Sequence, residues 1–322
     1  MPALKPFVSI CLATIMLSAC TGMADRNRHG SCRPIESPSR WGALSGLATD
    51  HTYPARLYAV HDHNLSPPEI LFIDVSGPQA IITHFLAITR SGSTPAYDLE
   101  GIAHRASGGF WLVSEGKRAA TRPNLLIRVD AHGRVEQEIR LPPEVARYRV
   151  KAGLEGITTR GHGEEEQVIM VFQRRWKDDP RGQVKIGLYH PATNQWRFFR
   201  YPLDIRKGTG LSAVSFLDDG SIAVLERDNR PFHKAKIKKI YRIQIPAPGA
   251  SPLLQKELLI DLLTHHNILL CGSNGKLEGM TVSGNRIYLV ADDDGEGSAL
   301  LLHVPVQDHA EKHWQEQHPA SQ

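Results

Sequence analysis

Short apolar runs recur about every 8–15 residues from residue 41 onward, and Gly, Pro, Asp and Asn separate them. This spacing is typical of antiparallel strands joined by tight turns. The clearest series predicts four strands, over residues 98–103, 109–114, 125–130 and 135–141, with a turn at 131–133. Four antiparallel strands in succession form one blade of a β-propeller.

A short motif opens this series and recurs along the chain. Its full form is Leu-Glu-Gly followed by Ile or Met, and two further copies carry Ser in place of Glu. The anchoring leucines are Leu44, Leu99, Leu154, Leu211 and Leu277, so the steps are 55, 55, 57 and 66 residues. Such a period indicates a repeat architecture. We therefore predict an all-β protein, a single β-propeller of five four-stranded blades, or six if residues 227–276 hold a degenerate blade.

The last repeat lacks a fourth strand. After a predicted third strand over residues 299–306 the chain becomes polar, with no strand pattern. A propeller that completes its last blade with an N-terminal segment removes two open sheet edges. Residues 33–41 are therefore predicted to close the ring.

The N-terminus has the pattern of a secretory signal. Lys5 precedes an apolar run over residues 7–17 that is too short to span a membrane, and the run ends in Leu17-Ser18-Ala19-Cys20. This ending resembles a bacterial lipobox, in which Cys20 is acylated and becomes the first mature residue; the alternative is a plain signal peptide cut near Ala19. Residue 21 is Thr rather than Asp, which favours the outer membrane. We predict a lipid-anchored, periplasm-facing envelope protein with a tether at 20–40, a domain at 41–306 and a polar tail at 307–322.

Cysteine usage predicts one disulfide. Cys11 leaves with the signal and Cys20 takes the lipid, so Cys32 and Cys271 remain in an oxidising compartment. They precede the first and last repeats, where a ring brings its ends together. We predict that they pair.

The net charge is +4, and loss of Lys5 with the signal leaves 4 − 1 = +3. A basic chain could bind nucleic acid, but the envelope compartment argues against it. The densest basic runs, residues 174–177 and 233–239, are interpreted as solvated strand faces that could help attract a phosphate-bearing ligand. A monomer and a small anionic or ester substrate are expected.

The motif also predicts a site. In a blade, the start of the first strand lies beside the end of the second. Glutamates of the inner strands should therefore share one rim with acidic residues from the second strands. Carboxylates that lie so close together must be protonated or bind a cation. All the donors are oxygen, so Ca²⁺ is the expected metal, with Mg²⁺ as the alternative. The predicted metal ligands are Glu100, Glu155, Glu278, Glu115, Glu226, Asp62 and Asp292, and the predicted catalytic residues are Glu100, Glu155, Glu278 and Arg227.

These motif copies together resemble the esterase-like domain of the phytase family, over residues 41–306. The resemblance implies a propeller-like fold and an esterase-like activity. The first hypothesis is a metal-assisted hydrolase of phosphoesters or carboxylesters; the second is a non-catalytic binding or scaffold propeller. In a purely structural role, the repeated Glu would accept backbone N–H bonds and lock adjacent blades together. The glycines at 46, 101, 156 and 279 are predicted to serve packing near the axis.

Overall fold

The computed structural model of the protein describes residues 30–39, 41–61, 67–116, 123–271, 276–292 and 299–306. The prediction of an all-β protein is confirmed. In chain order the strands are β1 (Ser31–Glu36), β2 (Leu44–Thr49), β3 (Arg56–His61), β4 (Glu69–Asp74), β5 (Ala80–Ala87), β6 (Leu99–His104), β7 (Phe110–Ser114), β8 (Leu125–Val129), β9 (Val135–Arg140), β10 (Leu154–Arg160), β11 (Gln167–Phe172), β12 (Gln183–His190), β13 (Gln195–Pro202), β14 (Thr209–Phe216), β15 (Ile222–Asp228), β16 (Lys238–Ile243), β17 (Lys256–Asp261), β18 (Lys276–Ser283), β19 (Arg286–Asp292) and β20 (Leu300–Pro305). The short helices are α1 (Pro143–Ala146) and α2 (His266–Leu270), with 3-10 turns at Gly163–Glu165, Phe232–Lys234 and Leu262–Thr264.

Three antiparallel sheets have four strands each, in sequence order: β6 to β9, β10 to β13 and β14 to β17. Local chemistry explains their short connections. Between β8 and β9, the Asp130 carboxylate accepts the backbone N–H groups of His132 and Arg134 at 2.9 and 2.8 Å, and Gly133 takes a φ of 79°. The turn predicted at 131–133 is therefore present.

The fourth sheet has eight strands in the order β18-β19-β20-β1-β5-β4-β3-β2. Strand β1 pairs antiparallel with β20 from Ser31 opposite His303, and its end pairs parallel with β5 at Ile35 opposite Ala80. The prediction that the N-terminal segment completes the last repeat is confirmed, although the strand begins at Ser31 rather than at 33 and ends at Glu36. Strand β1 lies inside the stretch predicted as a tether. This stretch is ordered as a strand because its backbone hydrogen bonds cover the exposed edges of β20 and β5.

The apolar core lies between neighbouring sheets. One cluster joins Tyr58 and Ile70 of the first repeat to Leu112 and Ile127 of the second. Four further clusters repeat this arrangement between the other neighbouring repeats, including the last repeat and the first. Each sheet therefore buries both faces against its neighbours, as the apolar runs of its middle strands require.

The first strands of the repeats meet at the centre. Strands β2, β6, β10, β14 and β18 each contact the next, and β18 contacts β2. We call them the inner strands. A Cβ atom at Gly46 would lie 2.7 Å from the Cα atom of Gly101, and one at Gly101 would overlap the carbonyl oxygen of Glu155. The predicted packing role of these glycines is confirmed, and in the fourth repeat Ala213 takes the same place, with Cα 2.5 Å from a Cβ at Gly156.

The predicted disulfide is confirmed. Cys32 in β1 is bonded to Cys271 directly after α2, with 6.1 Å between their Cα atoms and a sequence separation of 239. The side-chain amide of Asn267 also donates to the backbone oxygen of Gly30 at 3.2 Å. The bridge therefore fastens the closing strand to the segment that precedes the last repeat.

The interpretation of the basic runs as solvated strand faces is only partly correct. Five of their residues are exposed but do not lie on strands, namely Arg175, Lys177, His233, Lys234 and Lys236, and other members of the runs are buried. Lys238 in β16 is fully buried, and its ammonium group donates to the backbone oxygen and the carboxylate of Asp228 at 2.6 and 3.2 Å. Burial lowers the pKa of Lys238 to about 8. In the other run, Trp176 is buried and Arg174 is half-buried. The error arose because a buried cation and a solvated one have the same sequence pattern when the partner carboxylate is distant.

The predicted signal, Cys20, most of the predicted tether and the polar tail lie outside the described residues. Within the described ranges, no helix is long and apolar enough to cross a membrane.

Candidate functional site

A β-bulge recurs at the start of all five inner strands. The pairing with the second strand shifts register between Leu44 and Gly46, and at the matching positions of the other four repeats. A bulge redirects the side chain of the extra residue. The residues at the bulges are Ser45, Glu100, Glu155, Ser212 and Glu278.

The two serines fasten adjacent inner strands. Ser45 donates its hydroxyl to the backbone oxygen of Leu99 at 2.6 Å, and Ser212 donates to that of Leu277 at 3.1 Å. In the repeats without the inner glutamate, the bulge residue therefore has the locking role that the structural hypothesis assigned to this position.

Three carboxylates gather in the second repeat. One oxygen from each of Asp98, Glu100 and Glu115 lies within 4.8 Å of the others. The prediction included Glu100 and Glu115 but missed Asp98, which is 1% exposed. Asp98 stands directly before the Leu99-Glu100-Gly101 motif, just outside β6. A hard cation prefers such oxygen donors.

Glu115 also has a structural contact. Its carboxylate accepts the backbone N–H of Gly153 at 2.8 Å, while the side-chain oxygen of Asn124 accepts that of Leu154 at 2.9 Å. These two bonds fix the start of β10 against the second repeat. Glu115 therefore ties the two sheets together and also belongs to the acidic cluster.

Arg227 in β15 lies near two glutamates, Glu155 in β10 and Glu278 in β18. Glu155 is 3% exposed, and burial raises its pKa well above the usual 4.5, with the charge of Glu278 as the next cause and Arg227 acting in the opposite direction. Arg227 is buried, forms an ion pair with Glu278, and donates its Nε–H to the backbone oxygen of Leu277 at 2.9 Å. One carboxylate of the pair is thus charge-compensated, whereas the other holds its proton more tightly than a free carboxyl.

A second arginine lies next to this group. Asn229 accepts hydrogen bonds from Arg227 and, at 2.7 Å, from the Nη2 atom of Arg174. Burial lowers the pKa of Arg174, and the charge of Arg227 lowers it further, while Glu155 and Glu278 act in the opposite direction. Arg174 and Asn229 were not predicted as site residues, because neither stands in a repeated motif. We call Asp98, Glu100, Glu115, Glu155, Glu278, Arg227, Asn229 and Arg174 together the charged mouth.

Glu226 does not join the charged mouth. The register pairs Leu211 with Glu226, whereas the matching leucine of the second repeat pairs with Ser114, so Arg227 and not Glu226 is the counterpart of Glu115. Since neighbours on a strand face opposite sides, Glu226 points away from Arg227. Its carboxylate accepts from Lys256 at 2.7 Å and from the hydroxyl of Tyr201 at 3.2 Å. The prediction of Glu226 as a metal ligand was therefore wrong, because the residue that matches Glu115 stands one position later.

Two predicted ligands are not described. Asp62 lies outside the described residues, and Asp292 ends β19, paired with Lys276, but its side chain is outside the described part. Cys20, the predicted lipidation site, is likewise outside the described residues.

The inner strands enclose a channel that differs at its two ends. Near the bulges, a small cavity is lined by Ser45, Glu278 and the inner glycines. At the far ends of the same strands a wider concavity is lined by hydroxyl groups, among them those of Thr49 and Thr281, which are hydrogen-bonded to each other at 2.9 Å. The bulge end thus carries the carboxylates and guanidinium groups, whereas the far end is lined mainly by apolar and neutral polar side chains.

Sheets arranged around a ring of inner strands, with charged residues at one end of the channel, define a β-propeller with a polar central site. The family model for the phytase-like proteins, described as esterase-like activity of phytase, matches residues 39–295. The chain therefore belongs to the phytase-like family, as its motifs indicated. No curated protein matches the sequence.

Solved structures of similar shape include three with different descriptions. A catalytically inactive virginiamycin B lyase from Staphylococcus aureus shares 12% identity at a TM-score of 0.40, over 83% of this chain and 68% of that one. The Dos1 propeller shares 9% sequence identity at a TM-score of 0.40, over 83% of this chain and 63% of that one. The chain therefore spans less than two thirds of the length of that propeller. A PQQ-bound aldose sugar dehydrogenase from Streptomyces coelicolor shares 12% sequence identity at a TM-score of 0.42, over 85% of this chain and 98% of that one.

Proposed function

We propose that this phytase-like propeller is a metal-assisted hydrolase of phosphoesters or carboxylesters that acts at the charged mouth. The observation that carries the proposal is the gathering of Asp98, Glu100 and Glu115 within 4.8 Å beside a buried glutamate whose pKa is raised. Strongly shifted carboxyl groups next to a cluster of potential metal ligands are typical of hydrolytic sites.

The donor set suits Ca²⁺, with Mg²⁺ as the alternative. The three groups are all carboxylates and lie close enough to share one ion, and a hard cation would offset the repulsion between them. When bound, such a cation would polarise the ester oxygen and lower the pKa of an attached water molecule. Asp98, Glu100 and Glu115 are the residues that would hold it.

The protein's own residues supply proton transfer and charge. Glu155 keeps its proton above pH 4.5 because it is buried and faces Glu278, so it can donate that proton to a leaving alkoxide. Arg227 keeps Glu278 in place through their ion pair, and its Nε bond to Leu277 fixes the guanidinium group. Glu155 therefore has the role of general acid, and Arg227 that of a positioning residue.

Turnover of p-nitrophenyl phosphate and p-nitrophenyl acetate, each with and without chelator, tests the proposal. We expect turnover of at least one substrate that falls with chelator and returns with Ca²⁺. Glu155→Gln should lower kcat about 100-fold or more, the usual size of a general-acid contribution. Glu164→Gln, an exposed residue of the 3-10 turn Gly163–Glu165, is the matched control and should leave the rate unchanged. Equal rates for the two variants would refute the role of Glu155.

A calcium titration followed by thermal unfolding tests the metal separately. Ca²⁺ should raise the melting temperature because it binds the folded state alone. Glu100→Gln should weaken that rise, while Glu164→Gln should not. A melting temperature that does not respond to Ca²⁺ would remove the metal from the proposal.

A binding propeller without turnover is the second candidate. The contacts of Ser45, Ser212 and Glu115 with the backbone of the next inner strand favour it, since a locking role accounts for part of the motif. Absence of turnover with all esters, together with an intact response to Ca²⁺, would select this candidate.

We further propose that the propeller has five blades, with β1 completing the last one. The contacts of β18 with β2 support five, because the inner strands then form a closed ring. The stretch that could have hidden a sixth blade, residues 227–276, contains β16 and β17 of the fourth repeat.

Envelope anchoring through an acylated Cys20 is a further proposal, and it rests on the Leu-Ser-Ala-Cys ending of the apolar run. Cys20→Ala should abolish labelling by a radioactive or clickable fatty acid. Labelling that persists in this variant would refute the lipoprotein assignment.

A further inference from the structure

We propose that Arg174 and Arg227, bridged by Asn229, form an oxyanion-binding subsite at the charged mouth. The proposed ligand group is a phosphate or a carboxylate. The subsite deepens the proposed function, on which it rests for its place in a reaction, but binding of the anion does not require turnover.

Arg174 has donor capacity that the protein does not use. Its Nη2 atom donates to Asn229 at 2.7 Å, whereas its Nη1 atom is buried and has no hydrogen-bond partner among the described residues. A buried N–H group of a guanidinium without an acceptor is costly, and such groups commonly mark a place that a ligand or water occupies.

The two guanidinium groups are held close together. Asn229 accepts from both Arg174 and Arg227, and it is exposed, so the bridge lies at the solvent edge of the mouth. Two like charges this close repel, and the charge of Arg227 lowers the pKa of Arg174. An oxyanion in contact with Arg174 would relieve this repulsion and accept the unused N–H bonds.

The charge balance leaves Arg174 as the cation without a dedicated counterion. Lys238 is paired with Asp228, and Arg227 is paired with Glu278. An oxyanion would supply Arg174 with the charge-assisted hydrogen-bond partner that its Nη1 group lacks among the described residues.

The backbone fixes Arg174 in this position. Leu211 donates its N–H to the carbonyl oxygen of Gln173 at 3.2 Å, and Gly210 allows the approach, because a Cβ there would overlap that same oxygen and lie 3.3 Å from the Cδ atom of Arg174. The arginine therefore leaves β11 against the start of β14. These contacts with the start of β14 restrict the position of Arg174 in the connection that follows β11.

Calorimetric titration of the full chain with inorganic phosphate, in chelator and at low salt, tests the subsite. A parallel titration with acetate separates phosphate from carboxylate binding. We expect Arg174→Gln to weaken the binding of the preferred anion about tenfold or more, since a charge-assisted hydrogen bond is lost. Arg174→Lys keeps the charge but not the paired N–H donors, so its affinity for the anion should lie between that of the parent and that of Arg174→Gln.

The matched control is Arg181→Gln, which removes the same charge from an exposed arginine in the same connection between β11 and β12. It should weaken binding less than twofold. Equal losses in the two variants, or an Arg174→Gln variant that binds both anions as the parent does, would overturn the subsite. Absence of anion binding in the parent, with and without Ca²⁺, would also overturn it, whereas binding without ester turnover would contradict the hydrolase proposal alone.

Discussion

Replacing Arg227 with Met tests how the buried carboxylates are stabilised. Arg227 is 2% exposed and Glu278 is 13% exposed, so their ion pair is largely withdrawn from water. Met has similar length but no charge and no N–H donor. Glu278 would then lie beside Glu155 without its countercharge.

The magnitude follows from the contacts that are lost. Breaking a buried ion pair by removing one partner costs about 3–5 kcal/mol. Leu277 loses the Arg227 bond but keeps that of Ser212 at 3.1 Å, and Asn229 is exposed to water, so neither adds much. Because Glu278 retains some exposure, we expect a loss near the lower limit, about 3 kcal/mol.

A double-mutant cycle in denaturant measures this loss. Arg227→Met with Glu278→Gln should be more stable than Arg227→Met alone, with a coupling energy of about 2 kcal/mol, because the neutral amide needs no counterion. Arg242→Met is the control: this partly exposed β16 arginine pairs with Asp219 at 3.6 Å, and its loss should cost about 1 kcal/mol or less. Additive effects, or a loss below about 1 kcal/mol in Arg227→Met, would refute the reasoning.

The pH dependence has a definite sign. Arg227 lowers the pKa of Glu155, so its removal should raise that pKa further above 4.5. The folded state then holds a proton that the unfolded state releases, and stability falls as pH rises from about 4.5 toward the folded pKa. The deficit of Arg227→Met should therefore be larger at pH 8 than at pH 5. An equal deficit at both values would mean that Glu155 is not coupled to Arg227.

Three further predictions concern the frame of the fold. Gly101→Ala should lower the melting temperature by several degrees, since its Cβ would overlap the backbone of the next inner strand, whereas Gly77→Ala, whose Cβ would meet no atom within 4 Å, should not. Reduction of the Cys32–Cys271 bridge should cost about 4–5 kcal/mol in denaturant titrations, because it closes a very long loop, and equal midpoints with and without reductant would contradict this. Burial lowers the pKa of His303 to about 4, so its contribution to stability should be constant above pH 6.5 and fall as pH drops from 6.5 toward 4; His303→Gln should reduce that part of the acid response.

The sequence determined the repeat and much of its local structure. The recurring Leu-Glu-Gly motif predicted the inner strands, the packing glycines and the position of Glu100, Glu155 and Glu278, because period-2 alternation and glycine placement are local properties of the chain. The disulfide and the closing strand were also accessible, since a ring must join its ends. The predicted bounds of the closing strand differed from the observed ones, because the ends of β1 are set by its pairing with both β20 and β5.

Only the tertiary structure decided which charged side chains meet. The register of β14 with β15 places Arg227 at the mouth and turns Glu226 away, and a shift of one residue reverses the face of every side chain on a strand. Asp98 and Arg174 reach the charged mouth from different repeats, and Lys238 is buried because Asp228 accepts from it. Distances between residues far apart in sequence set these contacts, and with them the pKa values of the site; no local pattern contains that information.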